Sequence, residues 1–260
     1  MNSINKTLYI PLYGKAYVSR KGLFLRDPKA EEIWATEGFP LKGKARSKWL
    51  AYYMGIRSAV FDQWIKKQME MHPDAVVLHL GCGMDARFLR LSPRLPWYDV
   101  DFPQVIGERK RYFSETDAYR MIAGDVREKN WLQEISQRNH AIVILEGVSM
   151  YLAPQELQRL MQNLCAHFES LSLLMDVYTP LAAKMSRLKN PVHTVGVTKV
   201  FGMEDPQALQ TERFSFVKEH EMTPSAFIQE LSGMERIIFQ KLYAGKISRR
   251  MYKLLEYQKA

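Results

Sequence analysis

The sequence predicts an α/β protein with a doubly wound, mostly parallel sheet. Short apolar runs alternate with segments of helical periodicity from residue 75 onward. The first run, residues 76–80, ends at Gly81-Cys82-Gly83, and apolar residues then recur at helical spacing. A strand that closes in a glycine turn and opens a helix is typical of the first unit of a parallel sheet. Repeated alternation of strands and helices favours the doubly wound arrangement.

Length and composition indicate a folded protein of a reducing compartment. A chain of 260 residues with 47% apolar content can form one large domain or a core with appendages. No apolar run approaches the ~20 residues needed to cross a bilayer. The first 15 residues lack the layout of a secretory signal. Cys82 and Cys165 have neither metal nor disulfide spacing, so we expect a cytoplasmic protein.

The net charge of +9 limits the kinds of partner. An excess of 37 basic over 28 acidic residues could attract nucleic acid, an anionic membrane or an acidic substrate. The basic residues are dispersed, however, and form no RNA-module signature. We therefore expect a basic soluble surface and no nucleic-acid or membrane partner. The sequence leaves the oligomeric state open.

Residues 1–70 are predicted to form a helical extension or lid. Apolar residues at helical intervals predict a helix over residues 52–71. Arg57 falls on the apolar face of this helix, so it needs an anionic partner or a route to water. It is either a snorkelling arginine or a clamp for a carboxylate. Residues 11–22 and 41–48 are polar enough to predict loops or lid-like segments.

Residues 71–260 are predicted to form the main domain. Seven strands are expected, at residues 76–80, 97–101, 119–124, 141–145, 171–178, 236–243 and 249–258. For the last of these a helix is the alternative. Helices are expected over residues 103–113, 128–136, 154–168 and 224–233. A loop-rich cover is predicted over about residues 180–222, where few clear periods occur.

Acidic residues follow three successive strands of the predicted sheet. In an open parallel sheet, ligands bind outside the carboxyl ends of the strands. Asp101 lies about 20 residues after the glycine turn, where an acid can accept hydrogen bonds from ribose hydroxyls. Asp125 after the third strand can receive an adenine amino group, and Glu146 after the fourth can pair with an ammonium. Each acid alone could equally be a helix N-cap or a solvated loop residue.

The motifs do not by themselves select one cofactor. The sixth position of the G-x-G-x-x-G pattern is Ala86, and this spacing does not separate a nicotinamide cofactor from S-adenosylmethionine. The sequence has no Walker loop, no G-x-S-x-G elbow and no H-E-x-x-H. Its six histidines form no evident ligand set, so we predict no metal site.

Four segments, taken together in their order and spacing, resemble one known family. They are LGCGMDAR, WYDVDFPQVIGERKRYF, GDVRE and ILEGVSMYL. They are similar to the leucine carboxyl methyltransferase family, in particular to its bacterial branch of tetracenomycin polyketide carboxyl methyltransferases. The likeness covers roughly residues 8–180 and fades beyond them.

The resemblance implies a class I S-adenosylmethionine-dependent O-methyltransferase that methylates a carboxylate, with a Rossmann-like sheet and S-adenosylhomocysteine as product. The family motifs place the glycine turn, including Cys82 and Gly83 beside Gly81, against the cofactor. They imply that Asp101 holds the ribose, that Asp125 and Val126 flank the adenine, and that Glu146 meets the methionine end. They also imply that Arg57, and more loosely Lys15, pair with the cofactor carboxylate. Tyr151 matches a family tyrosine near the acceptor.

A carboxylate acceptor agrees with the absence of a convincing catalytic histidine, because a carboxylate is already ionised near neutral pH. The acceptor could be a polyketide acid, a peptide terminus or a metabolite. The alternatives are methylation of a modified tRNA base, a non-catalytic protein that binds the cofactor, and a nicotinamide oxidoreductase.

Overall fold

The computed structural model describes residues 8–37, 41, 43–136, 139–189, 200–245, 248 and 250–260. These residues form a seven-stranded sheet: β1 (Val76–Leu80), β2 (Trp97–Asp101), β3 (Tyr119–Ala123), β4 (His140–Leu145), β5 (Ser170–Tyr178), β6 (Phe214–His220) and β7 (Tyr252–Lys259). The strand order is β3-β2-β1-β4-β5-β7-β6. Strands β1 to β5 are parallel, and β7 is antiparallel to both β5 and β6. The predicted fold class is confirmed.

Helices flank the sheet along the whole chain. They are α1 (Tyr9–Arg20), α2 (Pro28–Glu37), α3 (Lys48–Met71), α4 (Arg87–Leu91), α5 (Pro103–Arg109), α6 (Pro154–His167), α7 (Pro180–Lys189), α8 (Ser225–Gln229) and α9 (Gly233–Tyr243). No helix in the described parts of the chain is both long and apolar enough to cross a membrane.

The central strands are buried on both faces, because helices cover the sheet from two sides. All five residues of β1 and of β2 are buried. One core cluster joins the sheet to α1 and α3, and the second joins it to α6. The apolar runs in the sequence reflect this double burial. Their parallel carboxyl ends lie along one edge of the sheet, where the predicted acids follow them.

Helix α1 contradicts the prediction of a loop over residues 11–22. It crosses α3 so closely that a Cβ on Gly14 would come within 2.7 Å of Met54. The pattern looked polar because Lys15 and Ser19 stand among apolar residues, yet both are buried. Burial of a lysine needs an ionic partner that local sequence does not reveal.

Three other segments also differ from their predictions. Residues 128–136 form only a 3₁₀ turn at Asn130–Glu134. The predicted strand at 236–243 lies in α9, and the missing strand is β6, in the segment predicted to be loop-rich. That segment also contains α7, whereas its residues 190–199 lie outside the described residues. The favoured strand at the end of the chain is confirmed as β7.

A stacked histidine pair lies where α3 ends and β4 begins. The rings of His72 and His140 are parallel, with centroids 3.6 Å apart. His140 also contacts the hydroxyls of Ser170 and Ser172 through Nδ1 and Nε2, at 2.8 and 3.1 Å. Burial, followed by repulsion from His72, lowers the pKa of His140 to about 4.

We therefore expect the protein to lose stability in mild acid through His140. Between pH 6.5 and about 4 the unfolded chain binds a proton that the folded ring does not, so stability falls as pH falls through this window. In His140→Phe the loss should be smaller by about 1 kcal/mol, a value discounted because solvent screens a half-buried ring. Urea unfolding at pH 7 and pH 5 measures the difference. An unchanged pH dependence in the variant would contradict the assignment.

Candidate cofactor and acceptor site

A cavity of about 520 Å³ lies at the carboxyl ends of β1 and β4. Its walls come from the glycine turn after β1, the segment after β4, and helices α1, α3, α7 and α9. Seven of the ten predicted site residues line it: Lys15, Arg57, Gly81, Cys82, Gly83, Glu146 and Tyr151. The structure thus brings together side chains that are separated by more than 130 positions in sequence.

The glycine turn has a backbone that only glycine adopts without strain. Gly81 and Gly83 have φ of +66° and +52°. A Cβ on Gly81 would also overlap the side chain of Val148, so the position requires glycine for space as well. Between them, Cys82 is buried, and burial raises the pKa of its thiol well above 9.0. A neutral thiol in this position is not a nucleophile.

Asp101 fastens this turn to the neighbouring strand. Its Oδ2 accepts a hydrogen bond from the Gly83 amide at 2.8 Å, and its Oδ1 accepts one from the Phe102 amide at 2.8 Å. Burial raises the pKa of Asp101, and these amides offset the effect only in part. Asp101 does not line the cavity itself but lies directly behind its glycine wall.

Asp125 and Val126 lie farther along the sheet edge, after β3, and do not line the cavity. Val126 is buried, and Asp125 is partly exposed and receives hydrogen bonds from the Arg127 guanidinium. Burial raises the pKa of Asp125, but the hydrogen bonds from Arg127 outweigh it and lower the pKa overall. Both residues therefore lie at the same edge of the sheet as the cavity, but beside β3, which is two strands away from β1.

Glu146 is held between two arginines at the base of the cavity. Its Oε1 lies 3.1 Å from Arg57 Nε, and its Oε2 pairs with Arg87 Nη2. Burial raises the pKa of Glu146, but attraction to Arg87 and Arg57 outweighs it and lowers the pKa to about 2. Glu146 is consequently a buried anion at any physiological pH.

Arg57 has further anionic and hydroxyl partners on the neighbouring strands. Its Nη1 donates to Asp176 Oδ2 at 2.9 Å and to the Tyr252 hydroxyl at 2.8 Å. Tyr252 also donates to Asp176, and the Gly147 amide donates to Asp176 Oδ1 at 2.7 Å. The arginine therefore has the anionic partners that its place on an apolar helix face required, and they come from the protein.

A second group of ion pairs lies behind the glycine turn. Asp85 Oδ2 lies 3.0 Å from Lys15 Nζ and 3.2 Å from Arg87 Nη1, and its Oδ1 lies 3.1 Å from Arg90 Nη1. The arginines continue to two further buried acids, since Arg87 and Arg90 pair with Asp62, and Arg90 pairs with Asp27. Burial raises the pKa of Asp85, but these cations lower it well below 3.8 overall.

The whole cluster carries a surplus of negative charge. Among the described residues, its five carboxyls are Asp27, Asp62, Asp85, Glu146 and Asp176, and its four cations are Lys15, Arg57, Arg87 and Arg90. Counting formal charges gives −5 + 4 = −1. S-adenosylmethionine carries one carboxylate, one ammonium and one sulfonium, so the charge of this site and its mixture of acids and cations fit that cofactor. Sequence reasoning did not identify Asp85, Arg87, Arg90, Asp176 or Tyr252.

Comparison with known proteins identifies the family of this chain. The model of the family described as leucine carboxyl methyltransferase matches residues 11–165. The chain belongs to the leucine carboxyl methyltransferase family. The resemblance seen in the four sequence segments is thereby confirmed, and the protein is an S-adenosylmethionine-dependent methyltransferase.

One relative extends over almost the whole chain. The tetracenomycin polyketide synthesis O-methyltransferase of Streptomyces glaucescens is 26% identical over 99% of this chain and 97% of its own length. Among solved structures, magnesium protoporphyrin IX methyltransferase of Synechocystis with bound SAH has a TM-score of 0.53 and 13% identity, and it covers 98% of this chain and 100% of its own. A putative methyltransferase of Thermobifida fusca has a TM-score of 0.58 and 13% identity, and the match covers 95% of this chain and 94% of its own. These two likenesses concern the fold.

Proposed function

We propose that this protein transfers the methyl group of S-adenosylmethionine to a carboxylate of a small-molecule or peptide substrate and so forms a methyl ester. The observation that carries the proposal is that Glu146, Arg57 and Tyr151 line one cavity. The first two supply charges for the amino-acid end of the cofactor, and the third is assigned to the acceptor. The name of the Streptomyces relative, an O-methyltransferase of polyketide synthesis, supports transfer to oxygen.

The cofactor assignment follows the charges of the site. Glu146 is the partner of the cofactor ammonium, since it is a buried anion beside the glycine turn. Arg57 and Lys15 receive the cofactor carboxylate. The glycine turn from Gly81 through Cys82 to Gly83 provides a wall without side-chain bulk at Gly81 and Gly83.

The other end of the cofactor is assigned to the sheet edge. Asp101 accepts the ribose hydroxyls, and Asp125 and Val126 flank the adenine. Helix α1, which contributes Lys15 and several apolar side chains to the wall, acts with the other described parts of residues 8–70 as the cover over the methionine end. Bound S-adenosylmethionine supplies an electrophilic methyl group on a positively charged sulfur.

On the acceptor side the protein orients a group that is already ionised. Tyr151 is a neutral hydroxyl donor, because burial raises its pKa. His79, the histidine in the described wall of the cavity, has Nε2 3.4 Å from the Arg87 guanidinium and Nδ1 3.3 Å from Asp99 Oδ1. Its ring nitrogens thus lie beside buried charged groups of the protein. A carboxylate needs no general base, so positioning alone is sufficient for in-line displacement.

The test is to identify the bond that forms. The protein is incubated with methyl-labelled S-adenosylmethionine and an extract of its host, and the labelled product is isolated and treated with mild base. We expect the label to be released as methanol, because carboxyl methyl esters hydrolyse under these conditions. Label that survives base as an ether, amine or methylated nucleoside would overturn the carboxylate assignment. Absence of transfer to any acceptor would favour a non-catalytic cofactor-binding protein.

A further inference from the structure

The charged residues of the cavity are confined to one end of it. Among the described lining residues these are Lys15, Arg57, Asp85 and Glu146, and all four pair with one another or with buried partners behind the wall. The rest of the wall is uncharged and rich in methionine and tyrosine, with leucines from α1 and α3. Among the described lining residues, a second charged group on the acceptor would meet no further charge and would lose its hydration.

Aromatic rings form much of the cavity wall. Tyr53, Tyr178 and Tyr243 line it together with Tyr151 and Tyr252, and the Tyr252 hydroxyl accepts a hydrogen bond from Arg57 Nη1, where the rings meet the charged end. The Tyr178 and Tyr252 rings meet edge to face with centroids 5.1 Å apart. The ring centroids of Tyr53 and Tyr243 are 6.0 Å apart. Such a wall offers large flat apolar contacts, and its polar groups are the hydroxyls at the ring edges. It suits a body that is mostly apolar.

The uncharged half opens to the surface between α7 and α9. Met185 on α7 is 53% exposed and Leu242 on α9 is 63% exposed, yet both also line the cavity. A side chain that does both lies at the mouth of the cavity. Leu181, one turn before Met185 on α7, is exposed as well and extends the apolar surface.

The size of the cavity limits what fits inside it. About 520 Å³ lies in the usual range for small-molecule sites. The amino-acid end of the cofactor takes the charged end of this space. An acceptor whose body is longer than the remaining space reaches the mouth, where its far end meets Met185 and Leu242.

We infer that the acceptor is a monocarboxylic acid with an extended apolar body, and that Met185 and Leu242 contact this body at the opening between α7 and α9. The inference rests on the proposed carboxyl methylation for the placement of the acid group. It adds the substrate class, the route by which the substrate enters, and two residues that determine specificity for chain length.

Binding measurements on the full-length protein saturated with S-adenosylhomocysteine test this inference. Calorimetry compares dodecanoate with propanoate and glutarate as probes. We expect dodecanoate to bind at least about tenfold more tightly than either short acid, because only its chain covers the apolar wall. Equal or tighter binding of glutarate would overturn the inference.

Two pairs of matched variants locate the contact. Met185→Gln and Leu242→Asn should weaken dodecanoate binding by about threefold to tenfold and leave propanoate and S-adenosylhomocysteine unaffected. Met234→Gln and Ile237→Asn are the controls. They make the same kinds of change at positions on α9 that are 77% and 54% exposed but do not line the cavity. Equal effects at control and mouth positions would exclude the proposed opening.

A further probe separates this inference from the proposed function. Dodecan-1-ol has the same chain without the carboxylate. If it binds as tightly as dodecanoate and the mouth variants weaken both, the apolar route stands and carboxylate recognition fails. If esters form only on short polar acids, carboxyl methylation stands and the apolar substrate class is wrong.

Discussion

Replacement of Arg109 by Ala is expected to lower the free energy of unfolding by about 3–5 kcal/mol, since it leaves a buried carboxylate without its cation. Arg109 is fully buried and pairs with Asp99. Its Nη1 also donates to the carbonyl of Gly83 at 2.6 Å and to that of Asp85 at 3.0 Å. The variant should therefore lose both the ion pair and the support of the glycine turn.

Urea denaturation of the wild type and the variant measures this effect. Arg111→Ala is the matched control, because Arg111 is exposed and its partners Glu37 and Glu108 lie 2.8 and 3.2 Å away at the surface. We expect the control to cost at most about 1 kcal/mol, as exposed ion pairs usually do. Similar losses in the two variants would mean that Arg109 contributes no more than a surface arginine.

The sheet was predictable because its physical signal is local. Strands buried on both faces are mostly apolar, and the acids at the ends of β2 and β4 mark where the chain leaves the core. The errors fall where local structure depends on contacts with residues far away in sequence. Helix α1 contains a buried lysine, Lys15, whose charge is neutralised by Asp85, 70 positions later. Its polar appearance is therefore a consequence of a contact that no local pattern contains.

The misread strand at residues 236–243 did have a local signal. Ser232 and Glu235 form an S-x-x-E pattern, which is typical of a helix start. The structure begins α9 at Gly233, directly after Ser232. The apolar residues that suggested a strand lie on different faces of the helix, since Phe239 is buried and Ile237 is exposed.

The candidate site was predictable only in its outline. The need of Arg57 for an anion followed from its place on the face of a helix. Its partners Asp176 and Tyr252, however, lie 119 and 195 positions away and were not recognisable from spacing. Folding brings them together because β5 and β7 are paired, with Asp176 facing Leu254 and Tyr178 facing Tyr252.

The charge surplus of the ionic cluster has a consequence for ligand binding. A buried cluster with a formal charge of −1 favours a ligand that carries a net positive charge over a neutral one of the same shape. The methyl donor has the additional sulfonium charge that the product lacks. We therefore expect tighter binding of S-adenosylmethionine than of S-adenosylhomocysteine, with a difference that shrinks in Asp176→Asn. Calorimetric titration of both ligands measures it, and an unchanged ratio in the variant would contradict the electrostatic explanation.

The largest expected effect on cofactor affinity comes from Glu146→Gln. Tyr151→Phe is the second single variant with which it is compared. Glutamine retains the size of the side chain but removes a buried charge that faces Arg57 and Arg87. We expect S-adenosylmethionine to bind about 30-fold more weakly, which corresponds to about 2 kcal/mol for the loss of one partner from a buried charge pair. Tyr151→Phe should leave this affinity within about twofold but lower kcat/KM for the acid acceptor about tenfold or more, because a hydrogen bond to an ionised group contributes about 1.5–3 kcal/mol.

The two variants separate the cofactor end from the acceptor end only if both remain folded. Unfolding curves recorded alongside the titrations measure whether they do. We expect Glu146→Gln to fold, because the Gln side chain can still accept a hydrogen bond from Arg57 and so preserves much of the local packing. An equal loss of cofactor affinity in both variants would contradict the assignment of Tyr151 to the acceptor. A normal affinity in Glu146→Gln would instead show that the cofactor ammonium has another partner, for which Asp85, the other carboxylate in the described wall, is the next candidate.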